Sequence, residues 1–314
     1  MTRRKIVAIS GSGRTGSTLL SLLLSQHRSI LNLGQLRDLW SAWSVDAPCT
    51  CGHRLSGCPV YSVVIPEAFG GNPAEGLHEM RRSMKVFFRD AADVRDWGAT
   101  GAVERLAARH AGYIARLNSV LDALQRVTGV NDFVDASKSP EMALALGLTA
   151  GTDLRVLNLV RDPRAIAVSW RKRRGQALAG WEFSRVWAKR QQALSRWAKG
   201  LGDRFIEVRY EEFATDARAT IERIQSWAGL ASTAGIFESQ DRAVISWSQQ
   251  HLYPPANERI LAERAAIVTI APAEEWRDRR YWFQHTLALL ATHPEGMRYA
   301  RAVRPSRRHT GDRT

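Results

Sequence analysis

The sequence predicts an α/β fold in which a central parallel sheet carries helices on both faces. Three observations lead there. Short apolar runs of strand length alternate with longer helical patterns along the chain, the signature of a parallel sheet covered on both sides. The first run, Lys5 to Ser10, passes through a glycine-rich turn, Gly11-Ser-Gly-Arg-Thr-Gly-Ser-Thr18, into a helical pattern from Leu19 to Leu24. Polar and charged residues gather just after the strand runs, at the carboxyl ends where such sheets bind ligands.

Taken in order, the elements follow the same logic. Ser29-Ile-Leu-Asn-Leu-Gly34 reads as a short second strand. Asp132 to Ser137, Leu154 to Arg161 and Phe205 to Tyr210 read as further strands, each followed by a turn signal and helical periodicity. Their ends carry Asp135 to Ser139, Arg161 to Pro163 and Arg209 to Glu211, which converge with Ser10 to Thr18 where a ligand would lie. Between Leu36 and Thr128 the pattern changes to a Cys- and Trp-containing stretch, then charged helices from Leu77 to Ala92 and from Val103 to Leu124. This 36–128 segment is expected to be a substrate-facing insertion within a single domain spanning 1–300.

Composition sets the outer bounds. A chain of 314 residues with 45% apolar content can bury a full core. The net charge is +14, and arginines from Arg298 to Arg313 crowd the C-terminal end, so 301–314 is expected to be a basic disordered tail. Basic chains bind nucleic acid when the charge lines one face, yet no finger, helix-turn-helix or aromatic-basic signature accompanies it. An anionic small ligand accounts for the excess more simply, and no specific nucleic-acid partner is expected. No apolar run approaches the roughly 20 residues that span a bilayer. The first strand begins within five residues of Met1, which leaves no room for a signal peptide. A cytoplasmic protein without a transmembrane segment is expected, and the oligomeric state is not legible.

The glycine-rich turn carries the chemistry. Successive N–H groups in such a turn form a concavity, and the helix behind it adds unpaired N–H groups and the positive end of its dipole. The product is a phosphate cradle. Gly11, Gly16 and Thr18 fit the nucleotide-binding pattern G-x-x-x-x-G-K-[ST], but Ser17 stands where the lysine belongs. The cation lies inside the loop instead, at Arg14. From the residues alone, a nucleotide kinase on a related loop and a basic nucleic-acid-binding protein stay open as alternatives.

The loop resembles the 5′-phosphosulfate loop of sulfotransferases. Arg161-Asp-Pro-Arg-Ala-Ile-Ala-Val-Ser169 is similar to that family's 3′-phosphate motif, an arginine at a strand end and a serine eight residues later in the next helix. Asp135-Ala-Ser-Lys-Ser-Pro140 and Val208-Arg-Tyr-Glu-Glu-Phe213 also look like bacterial members, so the resemblance runs from Lys5 to about Arg259. It implies a P-loop-like three-layer fold and 3′-phosphoadenosine 5′-phosphosulfate (PAPS) as cosubstrate. The acceptor would be a hydroxyl or amine of a small molecule, carbohydrate or natural product. Gly13, Arg14, Thr15, Gly16, Ser17 and Thr18 would hold the 5′-phosphosulfate, with Arg14 stabilising charge on the bridging oxygen and Lys138 reaching the sulfuryl oxygens or the acceptor. Arg161 and Ser169 would take the 3′-phosphate, Tyr210 would lie against the adenine, and Arg259 would add a 3′-phosphate contact. Arg164 is read as a solvated flank. No metal is required for such a transfer.

Two features depart from the resemblance or go beyond it. Related enzymes often have Gly-Glu after the second strand, whereas this chain has Gly34-Gln35, and glutamine cannot take a proton at neutral pH. His27, His53, Asp135 and His251 remain open as the base. Cys49, Cys51 and Cys58 form a C-x-C-G-x5-C loop containing His53. Buried thiols, a labile disulfide and a zinc site of three sulfurs with His53 all stay open, with no metal assigned.

Overall fold

The structure, a computed structural model, describes residues 3–302 apart from 71, 93, 95, 96, 98–100, 177, 256 and 257, and leaves aside the side chains of 258, 259, 261, 301 and 302. In chain order the elements are β1 (Arg4–Gly11), α1 (Ser17–Leu24), β2 (Ile30–Gly34), α2 (Leu39–Ser44), α3 (Tyr61–Phe69), α4 (Pro73–Ala91), α5 (Ala102–Arg109), α6 (Ala111–Thr128), β3 (Asp132–Asp135), α7 (Pro140–Gly147) and β4 (Thr152–Val160). There follow α8 (Pro163–Arg174), α9 (Ala179–Leu201), β5 (Phe205–Arg209), α10 (Tyr210–Thr215), α11 (Ala217–Ala228), β6 (Arg242–Val244), α12 (Glu258–Glu263), β7 (Ile267–Thr269), α13 (Trp282–Thr292) and α14 (Glu295–Ala302).

The packing resolves into two compact units, the first formed by 1–160 and 192–272 and the second by 161–191 and 273–314. The first unit contains a five-stranded sheet in the order β2-β3-β1-β4-β5, with every neighbouring pair parallel. This is the expected central parallel sheet with helices on both faces. Alternation along β1 explains why both faces are covered. Ile6 and Ala8 enter one buried cluster with Leu31, Phe133, Leu154 and Val156, while Val7 and Ile9 enter another with Val134, Leu157, Leu159 and Val208. A strand buried on both sides has no polar face, which is why β1 reads as a continuous apolar run.

The helices divide between these layers. Leu20 and Leu22 to Leu24 bring α1 onto the second cluster, together with Ile221 and Ile224 of α11. Each fully buried side chain of this kind contributes roughly 1.5–3 kcal/mol. The segment expected as a substrate-side insertion forms most of the other layer, since Trp40, Tyr61, Leu77, Met80, Phe87, Tyr113 and Leu117 are all buried in the first cluster. Its long helix from Val103 to Leu124 is broken in two at His110, whose backbone leaves helical geometry at φ −112°. There the His110 Nε2 lies 2.9 Å from Asp90 Oδ2 on the preceding helix.

In the second unit α8 packs against α13, and Ala165 and Val168 are buried with Trp276 and Tyr281. Arg298 belongs to α14 and not to an unstructured end, and helix continues to Ala302. Residues 303–314 of the expected tail lie outside the described residues. Among the described residues no helix is long and apolar enough to cross a membrane.

Candidate functional site

The strand order makes β1 the point where the chain stops adding strands on one side and starts on the other. In open α/β sheets the crevice at that point binds ligands. The glycine-rich loop leaves the carboxyl end of β1, at the centre of the sheet. Gly11 has φ 121°, and a Cβ there would stand 2.5 Å from the Leu159 carbonyl oxygen, so only glycine lets β1 run this close to β4 at its exit. Within the turn the Thr15 hydroxyl donates to the Ser12 carbonyl at 2.9 Å, and both residues are buried. Arg14 is exposed and sits in the left-handed region at φ 70°.

Gly16 caps α1 at φ 82° without any side-chain hydrogen bond to the helix. The first N–H groups of α1 are therefore left to a ligand or solvent. The Ser10 hydroxyl at the end of β1 is buried and has no partner among the described residues. An uncapped helix end and a partnerless buried hydroxyl at the base of one loop form a cradle that suits a phosphate-like oxyanion.

Two further segments join the loop within the first unit. The Lys138 N–H donates to the Ile9 carbonyl at 3.1 Å, which sets the β3–α7 turn beside the end of β1, and Lys138 is held there at φ 56°. The Tyr210 ring follows β5 and covers Gly16, where an added Cβ would approach it at 3.1 Å. Gly13, Thr15, Gly16, Ser17, Thr18, Lys138 and Tyr210 thus gather around one loop.

Arg161 and Ser169 belong to the second unit, Arg161 just before α8 and Ser169 within it. Both are half-buried. Asp162 caps α8 by accepting from the Arg164 N–H at 2.8 Å, and its carboxylate also binds the Arg164 guanidinium at 2.6 Å. Arg164 lies over the Trp276 ring at 5.0 Å, so it is a packed, ion-paired residue and not a solvated flank. Arg259 falls on α12, and its side chain lies outside the described residues.

Of the four groups left open as the base, topology separates one from the rest. His27 sits in the turn that enters β2, at the opposite end of the sheet from the loop, with Nδ1 2.8 Å from the Ser29 hydroxyl. His53 and His251 both face cysteine sulfurs. Asp135 is the one of the four that lies on a strand, at the carboxyl end of β3 beside β1.

Its oxygens are already engaged. Oδ1 accepts from the Leu36 N–H at 3.1 Å and the Ser137 hydroxyl at 2.7 Å, and Oδ2 accepts from the Ser137 N–H at 3.2 Å. Burial pushes its carboxyl up to about 6, against these donors and Arg37, which pull it down. Through these bonds Asp135 ties the turn after β2 to the segment carrying Lys138.

This architecture defines an α/β protein with an oxyanion cradle at the switch point of its sheet. A model described as the sulfotransferase family matches residues 7–234, so the chain belongs to the sulfotransferase family, a family of transferases. Among solved structures it is similar to the sulfotransferase domain from the Synechococcus PCC 7002 olefin synthase. The identity is 17% and the TM-score 0.50, with 92% of this chain and 94% of that one covered. A sulfotransferase domain from the curacin biosynthetic pathway matches at 16% identity and a TM-score of 0.47, over 96% of this chain and 97% of that one. Sulfotransferase STF9 from Mycobacterium avium matches at 15% identity and 0.42, over 87% and 79%. No curated protein matches the chain.

Proposed function

We propose that the protein transfers the sulfuryl group of PAPS to a hydroxyl or amine of a small-molecule, carbohydrate or natural-product acceptor. The observation that carries this reading is the uncapped start of α1 behind the Gly11–Thr18 loop, with Arg14 in the loop and Lys138 on the neighbouring turn. The loop N–H groups and the Ser17 and Thr18 hydroxyls hold the 5′-phosphate. Arg14 donates to the bridging oxygen, where negative charge grows as the bond to sulfur breaks in a loose, in-line displacement. Lys138 neutralises the sulfuryl oxygens. Arg161 takes the 3′-phosphate bidentately, for which a guanidinium is better shaped than an ammonium, and Ser169 adds a hydroxyl.

Gln35 orients the acceptor by hydrogen bonding; its amide cannot take the acceptor's proton, which is released to solvent water as the oxygen–sulfur or nitrogen–sulfur bond forms and the desulfated nucleotide leaves. These protein cations supply the charge that a metal provides in phosphoryl transfer, so the transfer requires none. The test is incubation of the full chain with labelled PAPS and a metabolite extract. A metabolite that gains one sulfuryl group supports the reading. Label transferred only from ATP with magnesium would overturn it.

A further inference from the structure

The structure assigns a second site to this chain, remote in sequence from the loop: we propose that Cys49, Cys51, Cys58 and His251 bind one structural zinc ion. The four ligand atoms all lie within 4.8 Å of one another. The sulfurs of Cys49 and Cys58 are 3.8 Å apart, and Nδ1 of His251 is 3.2 Å from the Cys58 sulfur. A tetrahedral zinc with bonds of about 2.3 Å to sulfur sets sulfur–sulfur edges of about 3.8 Å. A disulfide would need about 2.05 Å. All three cysteines are free, and Cys49, Cys58 and His251 are buried.

Backbone donors face two of the sulfurs. The Cys51 N–H donates to the Cys49 sulfur, and the N–H groups of Val60 and Tyr61 donate to the Cys58 sulfur. Such outer hydrogen bonds orient metal ligands and spread their charge. Gly52, at φ 95°, turns the chain sharply between Cys51 and His53, and the Cys49 N–H returns to the His53 carbonyl at 2.8 Å.

His251 comes from 193 residues away, and its approach is fixed independently of any metal. Thr50, between the first two cysteines, clamps the chain on both sides of it. Its N–H donates to the Leu252 carbonyl at 2.9 Å, its hydroxyl donates to the Gln250 carbonyl at 2.7 Å, and the Leu252 N–H donates to that hydroxyl at 2.8 Å. His53, the histidine inside the cysteine loop, lies 3.9 Å from the Cys51 sulfur and falls outside the four-atom cluster.

Three thiolates and one imidazole around a tetrahedral centre select zinc and close the site to substrate. On binding, the three thiols release their protons to solvent and the histidine coordinates as the neutral ring. None of the ligands belongs to the Gly11–Thr18 loop or the Lys138 turn, so the ion stands apart from the transfer chemistry. It joins the 49–58 loop to the segment carrying Tyr253, whose hydroxyl donates to the carbonyls of Leu33 at 3.1 Å and Gln35 at 3.3 Å. The ion therefore buttresses the Gly34–Gln35 turn.

The test is elemental analysis of the full-length protein, produced without an affinity tag in zinc-supplemented medium, together with X-ray absorption at the zinc edge. One zinc per chain, with three sulfurs and one nitrogen around it, is expected. His251→Ala should lose zinc retention by at least about tenfold, whereas His53→Ala should keep it. Metal-free wild-type protein, a Cys49–Cys58 disulfide found by mass, or zinc surrounded only by nitrogen and oxygen would each overturn the assignment. So would the reverse pattern in the two histidine variants. If His251→Ala does not fold, the absorption spectrum of the wild type decides alone.

Discussion

Replacing Asp135 by asparagine tests how the carboxyl end of the sheet is held together. The Asp135 carboxyl is buried at the end of β3 and pushed from 3.8 to about 6, chiefly by desolvation. Tyr113 and Tyr253 are the other titratable groups that feel its charge, and Arg37 is the cation that opposes the shift. A native pKa above the unfolded one means that the folded state holds the proton more tightly. The stabilisation is therefore complete below the unfolded value and is lost as pH rises through about 6.

Linkage between 3.8 and about 6 removes about 2.5 kcal/mol of stability between about pH 4 and about pH 7.5. Asparagine cannot ionise, so Asp135→Asn should lack this component. Its amide still accepts from Leu36 and the Ser137 hydroxyl but cannot accept from the Ser137 N–H, a loss of about 1 kcal/mol at both pH values. The assay is urea unfolding of both proteins across that window. The wild type should lose about 2.5 kcal/mol more than the variant on going from the acidic to the neutral end. Identical pH dependence in the two proteins would refute the reasoning, because burial would then not govern this carboxyl.

Three other outcomes follow from the loop. Arg14→Ala should lower single-turnover transfer at saturating donor by about 10²–10³, while binding of the desulfated product nucleotide stays within about tenfold. Arg14→Lys should fall between, and a variant that loses only binding would contradict the charge-stabilising role. Gly16→Ala places a side chain at φ 82° and 3.1 Å from the Tyr210 ring. The strain of about 1–2 kcal/mol should weaken nucleotide binding measured by calorimetry about 5- to 30-fold, and unchanged binding would mean that the turn is not part of the site. Omitting magnesium should leave the transfer rate unchanged, whereas a strict requirement would mean that the loop works as a nucleotide kinase's does.

How much of this was legible in the sequence depends on whether the signal was local. Strands β1 to β4 could be read within a few residues because burial makes each a largely apolar run bounded by turn chemistry, and the edge strand β5 through Phe205, Ile206 and Val208 despite its exposed Glu207. The Gly11–Thr18 loop was legible because glycine at positive φ and close strand approach restrict residue choice at fixed spacing. Long-range contacts were not legible. Three cysteines and His53 share one short loop, yet the imidazole that completes the cluster is His251, delivered by the Thr50 clamp.

The break between α5 and α6 was hidden for the same reason. Helical periodicity continues through His110, and the interruption shows only in the folded chain, in the His110 backbone and its contact with Asp90. The three hydrogen bonds by which Asp135 ties the turn after β2 to the β3–α7 turn join residues up to 99 positions apart and leave no local signal. The short hairpin of β6 and β7 left no periodic trace, since each strand has three residues.

The central claim is that this sulfotransferase-family protein uses a 3′-phosphorylated donor, and calorimetry with 3′-phosphoadenosine 5′-phosphate and AMP tests it without knowledge of the acceptor. A charge-assisted contact contributes about 1.5–3 kcal/mol, so the 3′-phosphorylated nucleotide should bind at least about tenfold more tightly than AMP. Arg161→Ala should erase most of that difference while leaving AMP affinity unchanged. Equal affinity of the wild-type protein for the two nucleotides would contradict the account.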